Sequence, residues 1–328
     1  MRHRFISVVA VSALAISLCA QAQAGVLDLA VRDEVTRAAN QADLPLDGSV
    51  RKKPSWKRKA LAFGGLGAAY GVLYGWTFMA WHYRSVEGTS IKFHKEGWFD
   101  ASTYAGGADK LGHAWANYTL TRGGSRLLRA GGWSKGSSLI ASTALSLGFF
   151  TLSEIKDGYN PKYGFSPNDM VANVTGQALG ITMELVPWID ERFDFRMEYL
   201  PSKAFLDQAS EEGLLNSAED YSGQNYRLAY HLGSIKSLRS DKNYSWLRFV
   251  DVSVGFHADA FSPKVTGRTP RQDLSLGLTL NLQELFKPGA LRFTTEVFAP
   301  PYTTLPLITT SRERVEPTSA STATMATR

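Results

Sequence analysis

The chain has 328 residues, of which 44% are apolar, 12% aromatic and 20% charged, with a formal net charge of +6. This composition builds one large core or two small ones and excludes global disorder, a collagen-like repeat and a disulfide scaffold. A mean hydropathy of -0.16 excludes a chain that is mostly transmembrane helix.

Arg2 and Arg4 precede an apolar run from Phe5 to about Ala20, followed by Ala22-Gln23-Ala24. That order is expected of a secretory signal over residues 1–24, cleaved before Gly25, with an uncleaved signal anchor as the alternative. The single cysteine, Cys19, falls inside it, so the exported chain is expected to have no thiol, disulfide or thiolate metal site. Leu18 stands where a lipidated cysteine needs a small residue before it. The expected location is the periplasm or outer membrane, in association with lipid.

Residues 25–59 read as a polar, basic arm. Its end, RKKPSWKRK, carries Arg51, Lys52, Lys53, Lys57, Arg58 and Lys59 without an acid. Such a cluster suits anionic lipid headgroups, or is a solvated linker. Nucleic acid is not an expected partner, because no recognition-helix or zinc-finger spacing appears.

Residues 60–188 are expected to form a membrane-associated bundle of about four helices. Ala60–Trp81 has about 22 residues without a charge and is a transmembrane candidate, although the basic cluster would then lie on the wrong side for the positive-inside tendency. A buried helix, or one at the membrane surface anchored by Trp76 and Trp81, fits equally. Ala108–Leu128 follows, with Gly123-Gly124 as a candidate break. Leu139–Leu152 is a short apolar run, and Asp169–Leu185 starts after Ser166-Pro167 and stops at Pro187. The Gly/Ala-rich helices permit a homo-oligomer, and an envelope protein partner is the other candidate.

From residue 189 to 310 the period changes to two, which makes the fold class α+β with an antiparallel β-region. Arg192–Tyr199, Val250–Ala260 and Leu274–Leu282 alternate cleanly; Tyr226–Ile235 and Leu291–Ala299 do so less cleanly. Four or five strands are too few for a closed single-chain outer-membrane barrel, so a sheet with one face against the helices is expected. Residues 311–328 read as a disordered tail.

Three polar motifs interrupt the helices. Asp109, Lys110 and His113 stand in DKLGH, Glu154 and Asp157 in SEIKDG, and Ser166, Asp169 and Asn173 in SPNDMVANVTG. Spacings of three and four place each pair on one helix face, where burial without partners costs several kcal/mol, so the pairs are expected to meet. Asp109, His113, Glu154, Asp157 and Asp169 are candidate ligands of a divalent metal ion. His113, Glu154 and Asp157 are candidate acid and base groups; Lys110, Ser166 and Asn173 are candidate contacts to a phosphate or cofactor. A closed hydrogen-bond and ion-pair network that fixes helix register, for example Lys110 with Glu154, explains the same residues without a ligand. There is no Gly-x-Ser-x-Gly elbow and no P-loop spacing.

In this order the motifs resemble the YfiM-like family of predicted periplasmic lipoproteins, a domain of unknown function, over roughly residues 100–185. More distantly they resemble the VanZ-like membrane proteins. The resemblance implies an envelope location and one shared site built from Asp109, Lys110, His113, Glu154, Asp157, Ser166, Asp169 and Asn173, with Gly176 and Gly180 as close-packing glycines. Ser153, where short members often carry lysine, and the missing lipidation motif depart from the pattern.

Overall fold

The computed structural model describes residues 55–314 apart from 80–87, 89, 95–96, 101–102, 162, 213–216, 262–266 and 302. The expected signal segment, most of the expected basic arm and the residues beyond 314 lie outside the described residues. The fold is α+β, with helices first and a six-stranded, mostly antiparallel sheet after them.

Helix α1 (Trp56–Thr77) starts at Ser55, whose hydroxyl accepts from the Lys57 amide, and takes the basic Lys57–Lys59 into its first turn. Helix α2 (Ala108–Ala130) begins after Gly106 and Gly107, whose φ of 60° and 90° other residues reach only with strain. It runs unbroken through Gly123-Gly124, against expectation. The reason is packing: a Cβ on Gly124 would sit 2.3 Å from Ser142 Oγ, so glycine there lets the next helix approach.

That next helix, α3 (Lys135–Tyr159), is far longer than the fourteen-residue run expected from hydropathy. Its added first turn is polar where it faces α2, with Ser138 bonded to Ser125, and inside the expected run Ser142 bonds the carbonyls of Leu120 and Thr121, so serine marks a helix contact here. At 25 residues α3 is long and apolar enough to cross a membrane, by length and composition. Helix α4 (Pro167–Leu185) has Ser166 as its cap and proline in its first turn, as expected, and the short α5 (Pro187–Asp190) follows.

Helix α2 is the axis of this bundle, with α3 and α4 along it and α1 against its second half through Ala62, Leu66, Leu127 and Leu128. Gly176 of α4 touches the α2 backbone so closely that a Cβ would lie 1.9 Å from the Ala114 carbonyl oxygen.

The strands are β1 (Phe193–Tyr199), β2 (Gln224–His231), β3 (Val250–Asp259), β4 (Arg271–Leu280), β5 (Phe298–Ala299) and β6 (Thr304–Glu313), in the order β5-β1-β2-β3-β4-β6. All neighbours are antiparallel except β5, which runs parallel to β1. Short helices α6 (Lys203–Glu212) and α7 (Lys236–Ser240) lie between the early strands. Two expectations fail at the end of the chain. Residues 291–297 form most of helix α8 (Ala290–Val297), because Phe293, Glu296 and Val297 bury one helical face and only Phe298-Ala299 is extended. The sheet also continues to Glu313, where a disordered tail was expected from 311.

One hydrophobic core joins Tyr118 of α2 and Met183 of α4 to Phe195, Tyr226, Phe293 and Val297. The sheet does not, however, simply lay one apolar face on the helices. It curls until Thr304 on β6 bonds Glu198 on β1, with β2, β3 and β4 between those strands in the sheet. The face inside the curl is polar and buried: Asp194, Arg196, Arg227, His231, Asp251 and Thr279 are each at most 5% exposed.

Candidate metal centre

Each motif is placed by its helix. His113 lies one turn beyond Asp109 on α2, Glu154 sits near the end of α3, and Ser166, Asp169 and Asn173 open α4. The Ser166 hydroxyl caps α4 by accepting from the Asp169 amide at 3.2 Å, while the Ser166 amide donates to Glu154 Oε2 at 3.1 Å. Ser166 therefore joins α3 to α4 and positions two carboxylates.

The geometry converges on one imidazole nitrogen. Glu154 Oε2 is held by Ser166, leaving Oε1 3.8 Å from His113 Nε2. Asp169 Oδ1 pairs with the Lys110 ammonium group at 2.7 Å, leaving Oδ2 4.0 Å from the same nitrogen. Ligand atoms of His113, Glu154 and Asp169 all lie within 4.8 Å of one another. Three donors about 2.1 Å from a tetrahedral ion stand about 3.4 Å apart, so a small rotation of the side chains closes the triad on a cation.

The tautomer of His113 follows from the hydrogen bonds behind it. Asn117 Nδ2 donates to the His113 carbonyl oxygen at 3.0 Å and to Asn173 Oδ1 at 2.6 Å. Asn117 Oδ1 accepts from Ser146 at 2.7 Å and from Gln177 at 3.2 Å. Those partners orient both amides, so Asn173 presents an oxygen to His113 Nδ1, 3.0 Å away, and that nitrogen carries the proton. In the neutral ring, Nε2 then has its lone pair toward Glu154 and Asp169. A metal-binding histidine needs this arrangement, with the second nitrogen held by a neighbour.

Charge is unbalanced around it. Among the described residues, the Lys110 ammonium group, on a residue 2% exposed, pairs with Asp109 at 2.6 Å and Asp169 at 2.7 Å, while Glu154 and Asp157 add carboxylates to the same surroundings. Burial pushes the Glu154 carboxyl well above its usual range, with Asp169 adding to the effect and His113 opposing it. Burial likewise lifts Asp157 to about 7. Asp169 goes the other way: burial resists its charge, but His113 and Lys110 hold the carboxyl low. For His113 burial disfavours the cation, and the surrounding Asp169, Glu154 and Asp109 raise it nonetheless. His113 keeps 24% of its side chain exposed, so the cluster is reachable from solvent.

All eight residues of the three motifs are thus brought to one end of the bundle, with different roles. His113, Glu154 and Asp169 form the triad; Lys110 and Ser166 orient its carboxylates, Asn173 orients its imidazole, and Asp109 and Asp157 add negative charge. Asn117, Ser146 and Gln177 were not expected. The available signal was spacing, since Asn117 is four residues after His113 and Gln177 four after Asn173.

A second buried cluster also went unread. Arg122 is fully buried on α2, meeting Glu184 at 3.4 Å, Glu296 at 3.2 Å and also Asp190, which ties α2 to α4, α5 and α8.

Residues 95–184 match the model of a family described as predicted periplasmic lipoproteins, DUF2279. The matched stretch is a little over a quarter of the chain and contains all three motifs. This similarity supports an exported, periplasmic or envelope location and carries no activity with it. Neither the curated proteins nor the solved structures contain a match.

Proposed function

We propose that this is an envelope protein whose helical bundle binds one divalent cation through His113 Nε2, Glu154 Oε1 and Asp169 Oδ2. The observation that carries the reading is that each of these groups has its other polar atom engaged, by Asn173, Ser166 and Lys110, while the remaining carboxylate oxygens lie 3.8 and 4.0 Å from His113 Nε2. One imidazole with two carboxylates suits Zn²⁺ or Mn²⁺ better than a thiolate-seeking ion. A site with three protein ligands leaves a position for a water or a substrate oxygen, and Asp157 supplies an acid or base group near it.

The ligand class we favour is a phosphate-bearing, lipid-linked envelope molecule. Support comes from the bundle's surroundings: Leu61, Val72, Ile140, Leu152 and Val174 are each at least half exposed on α1, α3 and α4, and Lys57 and Lys59 open α1. Apolar side chains beside a basic helix start suit contact with anionic lipid. The resemblance to YfiM-like and VanZ-like proteins rests on motif order and supports treating the three motifs as one unit. The alternative is a structural protein whose polar network only locks the helices; the closed Asn117–Ser146–Gln177 bonds favour that reading.

Metal analysis of the purified protein separates the two, beside His113→Ala and Asp169→Asn variants followed by thermal unfolding. Stoichiometric metal in the wild type, lost from variants that remain folded, is the expected result. No metal in any of them after exposure to Zn²⁺ and Mn²⁺, with the variants melting far below wild type, would leave only the structural role.

A further inference from the structure

We infer that the outward face of β2, β3, β4 and β6 is a bilayer-facing surface, separate from the bundle site. A row in register crosses the sheet: Phe195 pairs with Leu228, Leu228 with Val254, Val254 with Leu276 and Leu276 with Ile308. Phe195 is covered by the helical half, at 8% exposure. Beyond it the row emerges, with Leu228 at 46%, Val254 at 48%, Leu276 at 38% and Ile308 at 61%.

The opposite face of the same strands has the reverse polarity. His231, Asp251, Thr279 and Thr304 form a row across β2, β3, β4 and β6, and the first three are at most 5% exposed. Arg196 adds its guanidinium group 2.8 Å from Asp251. A sheet in water places apolar residues inward and polar ones outward; strands in lipid do the opposite, because the hydrocarbon solvates no charge. Here the carboxylates and guanidinium groups are inside the curl and the leucines outside.

What covers the leucines follows from chain length and charge. Strands β3, β4 and β6 have 10 residues each, the length used by strands that sit in hydrocarbon. The segment before β3, at the end where Val250 pairs with Leu280, exposes Tyr244 and Trp246. It also carries Lys236, Arg239, Lys242 and Arg248 against one acid, Asp241. Amphipathic aromatics with basic residues at one end of an apolar band are the pattern of a membrane–water boundary facing anionic headgroups.

The test uses the full chain carrying Cys19→Ser, with a fluorescent label at Leu276→Cys, Ile308→Cys or, as a control beyond the opposite end of the strands, where Tyr199 pairs with Gln224, Lys203→Cys. Vesicles contain phosphatidylethanolamine and phosphatidylglycerol. The labels at 276 and 308 are expected to be quenched by lipids bearing a nitroxide on the acyl chain and shielded from aqueous iodide; the label at 203 is expected to show the reverse. An unlabelled Val254→Thr/Leu276→Thr/Ile308→Thr variant keeps strand-forming side chains and is expected to bind vesicles about tenfold more weakly or worse, while its Zn²⁺ binding stays at the wild-type level. That last readout separates failure here from failure of the bundle site. Iodide access unchanged by vesicles would overturn the inference. So would shielding that needs no lipid and grows with protein concentration, which would assign the face to a second copy of the chain.

Discussion

His113 Nδ1 lies 3.0 Å from Asn173 Oδ1, across the interface of α2 and α4. This bond decides which ring nitrogen is free and so links helix packing to the chemistry of the site. Asn173→Ala removes the acceptor and leaves the Asn117 amide without one partner. Zn²⁺ affinity is expected to fall by about 10- to 100-fold, with the near-ultraviolet circular dichroism of the folded chain retained. Titration calorimetry of the folded variant measures it, and unchanged affinity would remove Asn173 from any role in orienting the imidazole.

Gly176→Ala places a methyl group where the Ala114 carbonyl oxygen already stands, at 1.9 Å. Backbone cannot yield as a side-chain tip does, so α2 and α4 must separate, at a cost of about 3 kcal/mol or more. A clear fall in Tm is expected. The same change at Gly148, with no atom within 4 Å of its Cβ, is expected to leave Tm within a few degrees.

Arg122→Met removes the guanidinium group that Glu184, Glu296 and Asp190 surround, leaving buried carboxylates with less counter-charge. The expected loss is about 3–5 kcal/mol. Adding Glu296→Gln to that variant is expected to recover part of it, because the lost stability comes from uncompensated charge. Denaturant unfolding of the single and double variants reads this directly; a double variant less stable than the single one would rule it out.

His231 sits inside the curled sheet, 3.2 Å from Asp194 and 2.9 Å from Asp251. Burial disfavours its cation, but the two carboxylates outweigh burial and raise the group to about 9. A raised folded value stabilises most below the unfolded value, near 6.5, and the gain is lost as pH climbs through about 9. Stability is therefore expected to decline by about 3 kcal/mol over that window. Asp194 moves oppositely: burial resists its charge, but His231 and Arg196 lower it, so its contribution is present above about 4 and is lost on acidification. Unfolding followed from pH 5 to 10 is expected to show the alkaline decline in the wild type and its loss in His231→Gln.

Sequence periodicity determined where the helical half ends and the strands begin, because amphipathic repeats of 3.6 and 2 are local properties of the chain. Ser166-Pro167 and Pro187 bounded α4 for the same reason, since capping and a missing amide act within one turn. The three motifs were visible as pairs of polar groups on otherwise apolar helices. Their meeting was an inference from the cost of burying them, and only the packing of α3 and α4 on α2 shows which atoms converge. Ser142 and Gly124 read as weak helix residues in isolation; as a contact they let α3 and α2 touch. Leu291–Val297 shows the limit in the other direction. A stretch that approximates alternation became a helix because Phe293, Glu296 and Val297 found burial on one helical face. The direction of the sheet's two faces was likewise beyond the sequence. Alternation in VDVSVGFHAD separates two faces, but which face is enclosed depends on a curl that brings Thr304 to Glu198, a contact between residues 106 positions apart.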